Sequence, residues 1–437
     1  MPLPRRIGVA TASLLVVASM VGTGVFTTGG FLVRDIGSPL AVLACWVVGG
    51  CAALCGALAY GELCAALPEN GGEYALLRRI YHPSVGFVAG FVSLVGGFSA
   101  PIAAAAIACQ RYLGAALGRD VSVAWPVALV LGLSLLHTWR VSAGSRFQNL
   151  VTAAKISLVL LVAGMGLALG VPDRIRAAGP VPTGTAILSG SFAVGLVYVS
   201  YAFSGWNAVA YVAGEVRAPR RGVPTALVVG TALVTLLYLL VNAAFLAAAP
   251  AADLAGVVEV GHVAARAILG DGAARVLSGV IALGLVSTIG ALVMTGPRVY
   301  EAMGHDHPRL ALLGRRGSEG GPGMAIWIQA AVAIGLLLTT SFDTLLAWVG
   351  VVLSLATALT AAGVLVLRRR EPGLFRPVRA PIWAPLVYIA LTAWMIAHVA
   401  WERPAVLAAG GVTIALGLLL WFSVRVKPSR TLRTTEP

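Results

Sequence analysis

Lysine is rare in this chain, and one of its two lysines, Lys155, lies inside an apolar segment. The other, Lys427, belongs to the polar C-terminal tail, and the remaining basic residues are arginine. If a helix starts near Arg146, a rise of about 1.5 Å per residue places Lys155 roughly 13 Å along it, close to the bilayer midplane. A cation at that depth is costly in lipid, so Lys155 is predicted to face a cavity or a partner.

Two other apolar segments are interrupted by glycine and small polar residues, at Gly22-Thr23-Gly24-Val25-Phe26 and at Phe203-Ser204-Gly205-Trp206-Asn207. Glycine loosens a helix, and an unwound turn at membrane depth is tolerated only where it lines a cavity. Such a turn exposes N–H groups on one half-helix and carbonyl groups on the other.

The two breaks together have the chemistry to hold a zwitterion. The amides of Thr23 and Gly24 would receive a carboxylate, and carbonyl groups near Met20, Tyr201 and Ser204 would receive an ammonium group. The alternative is that these glycines only permit close packing of membrane helices.

Composition sets the class of protein that must position these groups. The chain is 59% hydrophobic and 11% charged, with a mean hydropathy of +0.90, which excludes an ordinary soluble domain. We predict an all-α polytopic membrane protein with twelve transmembrane helices. The predicted spans are residues 8–32, 40–66, 85–115, 121–139, 146–170, 187–212, 223–248, 274–300, 324–340, 344–367, 382–400 and 404–425.

Basic residues are distributed unevenly between the predicted loops. Of the 31, 22 lie on the side of both termini and 8 on the other side, and Lys155 lies within the membrane. The positive-inside rule therefore predicts a multi-pass protein of the cytoplasmic membrane with both termini in the cytoplasm. Attraction to the lipid surface accounts for the net charge of +14, and no nucleic-acid partner is expected.

Residue types that serve catalysis or metal binding form no recognisable set. The five cysteines lie in or beside apolar spans without a paired CxxC pattern, so no metal site or cofactor is expected. Because none lies in a predicted outer loop, no disulfide-linked partner subunit is expected. No HExxH, paired-acid or Ser-His-Asp set is apparent, so no catalytic residues are proposed and an enzyme is not expected. Glu62 and Glu215 are expected to pair with loop arginines, and Asp343 to be solvated.

Several motifs in order resemble the amino acid–polyamine–organocation transporters over about residues 8–370. The span 1 cluster resembles that family's glycine-small-glycine-aliphatic-phenylalanine motif. The similarity continues through Tyr60-Gly61-Glu62-Leu63, Pro68-Glu69-Asn70-Gly71-Gly72-Glu73-Tyr74, Tyr201 to Asn207, Gly214-Glu215-Val216, Pro219-Arg220-Arg221, Gln148-Asn149 with Lys155, and Pro297-Arg298-Val299-Tyr300-Glu301-Ala302-Met303. One departure is Gly304-His305-Asp306-His307, interpreted as a surface feature.

The resemblance implies the fold of the leucine transporter, a five-plus-five inverted repeat with two added C-terminal helices. Residues 1–437 would then form one transporter domain, with repeats at 8–170 and 187–367 and accessory spans at 382–425. The paired breaks, five spans apart, fit this arrangement.

The resemblance also assigns roles to residues of the breaks. Thr23 and Gly24 would receive the substrate carboxylate, Tyr201 would close over the substrate, and Ser204 would line the side-chain pocket. Relatives that prefer cations place an acid where this chain has Ser204, which favours a neutral substrate. The predicted substrate-binding set is Met20, Gly22, Thr23, Gly24, Tyr201, Phe203, Ser204 and Gly205.

For Lys155, the resemblance to sodium-independent exchangers and proton-coupled permeases implies a coupling role. Its ammonium group would replace a sodium ion between the span 1 break and Ser287 or Thr288 of span 8. Two mechanisms stay open: a lysine that titrates during proton coupling, or a permanently charged lysine in an exchanger.

The predicted function is sodium-independent secondary transport of amino acids, neutral ones by preference, by alternating access. The partners are then an amino-acid substrate, the bilayer and, in one mechanism, protons. Alternatives are a permease for cationic amino acids or polyamines, a non-transporting amino-acid sensor, a membrane enzyme, and a channel.

Overall fold

A computed structural model of the chain describes residues 7–139, 145–177, 184–315 and 322–424, without the side chains of 139, 145–151, 176 and 177. Arg5, Arg6, Lys427 and the side chains of Gln148 and Asn149 therefore lie outside the described residues. The described part is helical, and its one β-bridge joins Ile7 to Val216.

The longer α-helices lie at the predicted spans, and shorter helices lie between them. In chain order they are α1 Val9–Met20, α2 Thr23–Ile36, α3 Pro39–Ala66, α4 Gly72–Ile80, α5 Pro83–Val92, α6 Ala100–Leu117, α7 Ala124–Trp139, α8 Ser145–Leu169, α9 Asp173–Ala177, α10 Gly184–Ile187, α11 Gly190–Phe203, α12 Pro219–Ala248, α13 Ala251–Leu254, α14 Val260–Thr295, α15 Pro297–Asp306, α16 Gly323–Thr339, α17 Phe342–Arg370, α18 Trp383–Glu402 and α19 Pro404–Val424. A π-helical turn, Ser93–Ser99, joins α5 to α6, and 3₁₀ turns occupy Ala208–Glu215 and Pro308–Gly314.

Membrane-spanning length is met by nine helical segments of the described chain, or ten when the bent pair α1–α2 counts as one. Two shorter apolar helices, Ala124–Thr138 and Gly323–Thr339, lie where spans 4 and 9 are predicted. The predicted total of twelve therefore depends on these two short helices also crossing the bilayer. Helix α14 begins earlier than predicted span 8, and Gly270 (φ 80°, ψ 175°) separates its first turns from the span itself.

Two pairs of helices that are five spans apart pack along one another. Span 2 (α3) packs along span 7 (α12), and span 3 (α6) packs along span 8 (α14). This pairing is the one expected when a two-fold axis relates two repeats. The repeat boundaries themselves stay a prediction.

Both described ends of the chain lie on one side of the molecule, here called the terminal face. Ile7 pairs with Val216 there, and Val424 packs in a small apolar cluster with Tyr74 and Met303. The opposite face carries the turn after α2 and the turn between α18 and α19. A site between spans 1 and 6 is therefore held between these two faces.

Candidate functional site

A cavity of about 830 Å³ lies between the two broken spans and extends to the terminal face. It reaches the surface there, where the His305 side chain is 67% exposed. The structure brings ten of the eleven predicted site residues to its lining: Met20, Gly22, Thr23, Gly24, Lys155, Tyr201, Phe203, Ser204, Gly205 and Thr288. Ser287, the eleventh, is not among the lining residues.

The predicted break in span 1 is present. Helix α1 ends at Met20, Val21 and Gly22 are non-helical, and α2 begins at Thr23, with a bend of 44° between the two helices. Because Gly22 has left the helix (φ −146°, ψ −134°), the first N–H groups of α2 have no helical carbonyl to bond. Thr23 and Gly24 thus place N–H donors and the positive end of a half-helix at the cavity.

Span 6 is also broken at the predicted position. Helix α11 ends at Phe203, Ser204 turns the backbone to an extended ψ of 140°, and Gly205 has a φ of +98°. That φ is left-handed, a conformation that suits glycine. The chain then continues as the 3₁₀ turn Ala208–Glu215, so the carbonyl end of α11 faces the cavity.

The glycines of each break pack against the other broken span. A Cβ on Gly24 would lie 2.5 Å from Ala202 Cα, and a Cβ on Gly205 would lie 2.7 Å from the Ser19 carbonyl oxygen. The two segments therefore cross with their backbones in direct contact. The close packing that the sequence offered as the alternative to a ligand site is therefore present, and it lies beside the cavity.

Tyr238 of α12 connects the two breaks, a role that was not predicted from the sequence. Its hydroxyl lies 2.6 Å from the Met20 carbonyl oxygen and 3.1 Å from that of Ala202. The hydroxyl has one proton and donates it to one of these carbonyl oxygens at a time. Each carbonyl oxygen keeps a further lone pair that can accept another hydrogen bond. A lone tyrosine within an apolar span gave no signal of this role.

Lys155 reaches the neighbourhood of the span 1 break. Its Nζ donates a hydrogen bond to Thr288 Oγ1 at 2.9 Å, and Thr288 in turn donates to the Gly284 carbonyl at 3.1 Å. Thr288 packs beside Gly22, where a Cβ would lie 3.2 Å from Thr288 Cγ2. The lysine, span 8 and the break in span 1 are thus adjacent, which is the arrangement that a coupling role requires.

A π-helical turn in span 3 borders the same cavity. Ser93, Gly97 and Phe98, all within Ser93–Ser99, line it. Such turns are rare and occur often at functional sites because they displace part of a helix. The glycine pair Gly96-Gly97 was the only sequence feature at this position.

Towards the opposite face, an ion-pair cluster closes the space above the breaks. Arg403 lies 3.3 Å from Asp343 and 3.6 Å from Asp35, and Arg34 pairs with Asp35 at 2.6 Å. Phe31 beneath it stacks on Phe342 with ring centroids 5.8 Å apart. The expectation that Asp343 is merely solvated was wrong, because α19 begins beside α17 and brings Arg403 to it.

The other expectations for charged groups fared unevenly. Glu62, as expected, pairs with an arginine, accepting from Arg368 Nε at 2.9 Å. Glu215 instead accepts from the Asn70 side-chain amide at 3.5 Å.

The segment Gly304-His305-Asp306-His307 departs from the family pattern. Within it, His307 packs on Phe87 and Trp421, and burial lowers the pKa of its imidazole. Within the described residues no group of three metal-ligating side chains was found.

The crossing of the two breaks predicts the effect of a single methyl group. Gly24→Ala is expected to destabilise the protein by at least about 1–3 kcal/mol, because its Cβ meets the Ala202 backbone rather than a flexible side chain. Thermal unfolding of the purified protein in detergent measures this.

Gly132→Ala in α7 is the matched control, since a Cβ there meets nothing within 4 Å. It is expected to leave the unfolding temperature unchanged or slightly raised, as alanine favours a helix over glycine. Equal unfolding temperatures for the two variants would contradict the close crossing.

Comparison with known proteins identifies the family. Residues 7–423 match the family described as Amino acid permease. The chain is 26% identical to the Asc-type amino acid transporter 1 of Mus musculus over 449 residues, covering 99% of this chain and 84% of that protein. It is 25% identical to the mouse Large neutral amino acids transporter small subunit 2, covering 96% and 81%. For the mouse b(0,+)-type amino acid transporter 1, the identity is 25% and the coverage 92% and 84%.

The matched region includes both breaks, Lys155 and the ion-pair cluster at the opposite face. These relatives are transporters of amino acids by name, and the helices described above are those of a multi-pass membrane protein. The chain belongs to the amino acid permease family of the amino acid–polyamine–organocation superfamily.

Proposed function

We propose that this protein carries neutral amino acids across the cytoplasmic membrane by alternating access, without sodium. The observation that carries the proposal is the meeting of two broken helices at one cavity. There, the first N–H groups of α2 and the carbonyl end of α11 lie side by side at the wall of a cavity of about 830 Å³. An α-amino acid has a carboxylate, which suits the N–H end of a half-helix, and an ammonium group, which suits a carbonyl end.

Alternating access is supported by the unequal closure of the two sides. The cavity extends to the terminal face, whereas ion pairs and stacked aromatic rings close the opposite face. A transporter must pass between this state and one with the opposite closure. The excess of arginine on the side of the termini supports a cytoplasmic location for the open side.

Sodium independence is supported by the position of Lys155. Its ammonium group donates to Thr288, beside the span 1 break, where it supplies the positive charge that a bound cation would otherwise provide. The two mechanisms, proton coupling and exchange, both use this charge. A neutral substrate is supported by Ser204 in the break and by a relative named for large neutral amino acids.

All five cysteines lie in helices, where Cys45, Cys55, Cys64 and Cys109 are buried and Cys51 is exposed on α3. A disulfide-linked partner subunit is accordingly not part of the proposal.

Uptake by purified protein in liposomes tests the proposal. Radiolabelled amino acids are supplied singly, with sodium or choline outside, with and without a pH gradient, and with and without internal substrate. We expect saturable uptake of at least one neutral amino acid at equal rates in sodium and choline. Stimulation by internal substrate would indicate exchange, and stimulation by an inward proton gradient would indicate proton coupling. Binding without uptake would instead indicate a sensor, and chemical conversion an enzyme.

The role of Lys155 predicts a specific loss. Lys155→Met keeps the length of the side chain but removes the charge and the donor, and is expected to lower uptake at least about tenfold, since a hydrogen bond to a charged group contributes about 1.5–3 kcal/mol. Membrane insertion, followed by yield and gel filtration, should be retained.

Two substitutions of Thr288 form a matched pair of variants for this test. Thr288→Val removes the acceptor and should lower uptake as Lys155→Met does, whereas Thr288→Ser keeps the hydroxyl and should retain most of it. Full uptake with unchanged pH dependence in Lys155→Met would refute the coupling role.

A further inference from the structure

Glu73 is a buried carboxyl group that the proposed mechanism does not use. It lies in the first turn of α4, is 3% exposed and borders the cavity. Its Oε1 accepts a hydrogen bond from the Tyr60 hydroxyl at 2.8 Å and another from the Asn207 side-chain amide, and its Oε2 accepts from the Tyr211 hydroxyl. We call these four residues the Glu73 cluster.

The partners of Glu73 are neutral groups from two separate spans. Tyr60 belongs to span 2, whereas Asn207 and Tyr211 belong to the irregular second half of span 6. No ion pair of Glu73 with a lysine or arginine occurs among the described residues. A buried carboxyl group without a cation depends on its hydrogen bonds to offset the loss of water, so all three donors are needed.

The segment that Glu73 holds has little intrinsic rigidity. After Gly205 it forms the 3₁₀ turn Ala208–Glu215, and Val212 within that turn is non-helical (φ −126°, ψ 23°). Such turns have poorer hydrogen-bond geometry than an α-helix and are short for that reason. The position of the segment therefore depends on contacts from outside it.

The loop before Glu73 supplies further contacts to the same segment. Asn70 Oδ1 accepts from the Gly214 amide at 2.8 Å, and the Gly71 amide donates to the Tyr211 carbonyl at 3.1 Å. Gly72 lies beneath the Tyr211 ring, where a Cβ would come within 2.5 Å of Cε1. Residues 70–73 thus hold the second half of span 6 along most of its length.

We propose that Glu73 is a positioning residue that holds the second half of span 6 against span 2 and thereby favours the state open to the terminal face. The inference rests on the proposed transport function, because it assigns Glu73 to the exchange between its two states. In this proposal, the second half of span 6 moves relative to span 2 on the way to the opposite closure, and the Glu73 cluster rearranges. Glu73 then sets the population of the open state without contacting the substrate carboxylate.

Thiol labelling at the cavity measures this population. Ala302 lines the cavity on α15, and Ala302→Cys in a Cys51→Ser background gives one accessible thiol, since the other cysteines are buried. Glu73→Ala leaves three donors without their acceptor in the open state. We expect it to slow labelling of the folded protein by a water-soluble maleimide about tenfold.

Two further variants separate positioning from loss of fold. Glu73→Gln keeps the shape and one acceptor oxygen but turns an NH₂ group toward the donors, and it should slow labelling by an intermediate factor. Glu69→Gln, in the same loop but exposed, should label as the parent protein does. A role in stability alone would lower the unfolding temperature while leaving the labelling rate of the folded fraction unchanged.

Equal labelling rates in Glu73→Ala, Glu73→Gln and Glu69→Gln would overturn the proposal. The labelling assay needs no transported substrate. Absence of uptake by the parent protein would therefore contradict the proposed function and leave this test valid.

Discussion

The structure depends on one contact, the backbone crossing of two broken helices in the middle of the membrane. Unpaired N–H and C=O groups are very costly in lipid, so a break is stable only where protein or water-filled space surrounds it. The two breaks are brought together by the contacts of Gly24 with Ala202 and of Gly205 with Ser19, so each break is surrounded by protein. The same glycines that allow the contact leave the half-helix ends facing a common cavity.

The other features of the site follow from this crossing. Tyr238 holds carbonyl groups of both breaks from α12, and Lys155 places a charge beside the span 1 break through Thr288. Above the breaks, Arg403 joins the carboxylates of spans 1 and 10 and closes the opposite face. Below them, the second half of span 6 lies against the loop before α4. In the proposed function, a substrate bound at the breaks would contact the segments that move when access alternates.

Much of this arrangement could be predicted from the sequence, because membrane depth restricts what glycine and charge can do. Three features differ from the apolar segments around them: Gly22 to Gly24, Ser204-Gly205 and Lys155. Each has a physical consequence that can be stated in advance. The spans were predicted for the same reason. Spans 4 and 9 are the weakest, since their helices are short.

Features that depend on long-range packing gave no comparable signal. Tyr238 is an ordinary residue of an apolar helix until α1 and α11 approach it. Glu73 is recognisable as an acid in a glycine-rich loop, but its three donors come from residues 13, 134 and 138 positions away. Asp343 and Arg403 are 60 positions apart, and the packing of α18 and α19 against α17 brings them into contact. A single sequence contains no physical rule that pairs such residues.

The most direct test of the central claim is an experimental structure, by electron cryomicroscopy or crystallography, with a transported amino acid bound. We expect ligand density between the two breaks, with the carboxylate against the N–H groups of Thr23 and Gly24 and the ammonium group against the carbonyl end of α11. Density for the amino acid elsewhere in the cavity, for example beside Glu301 and His305 with the breaks empty, would contradict it.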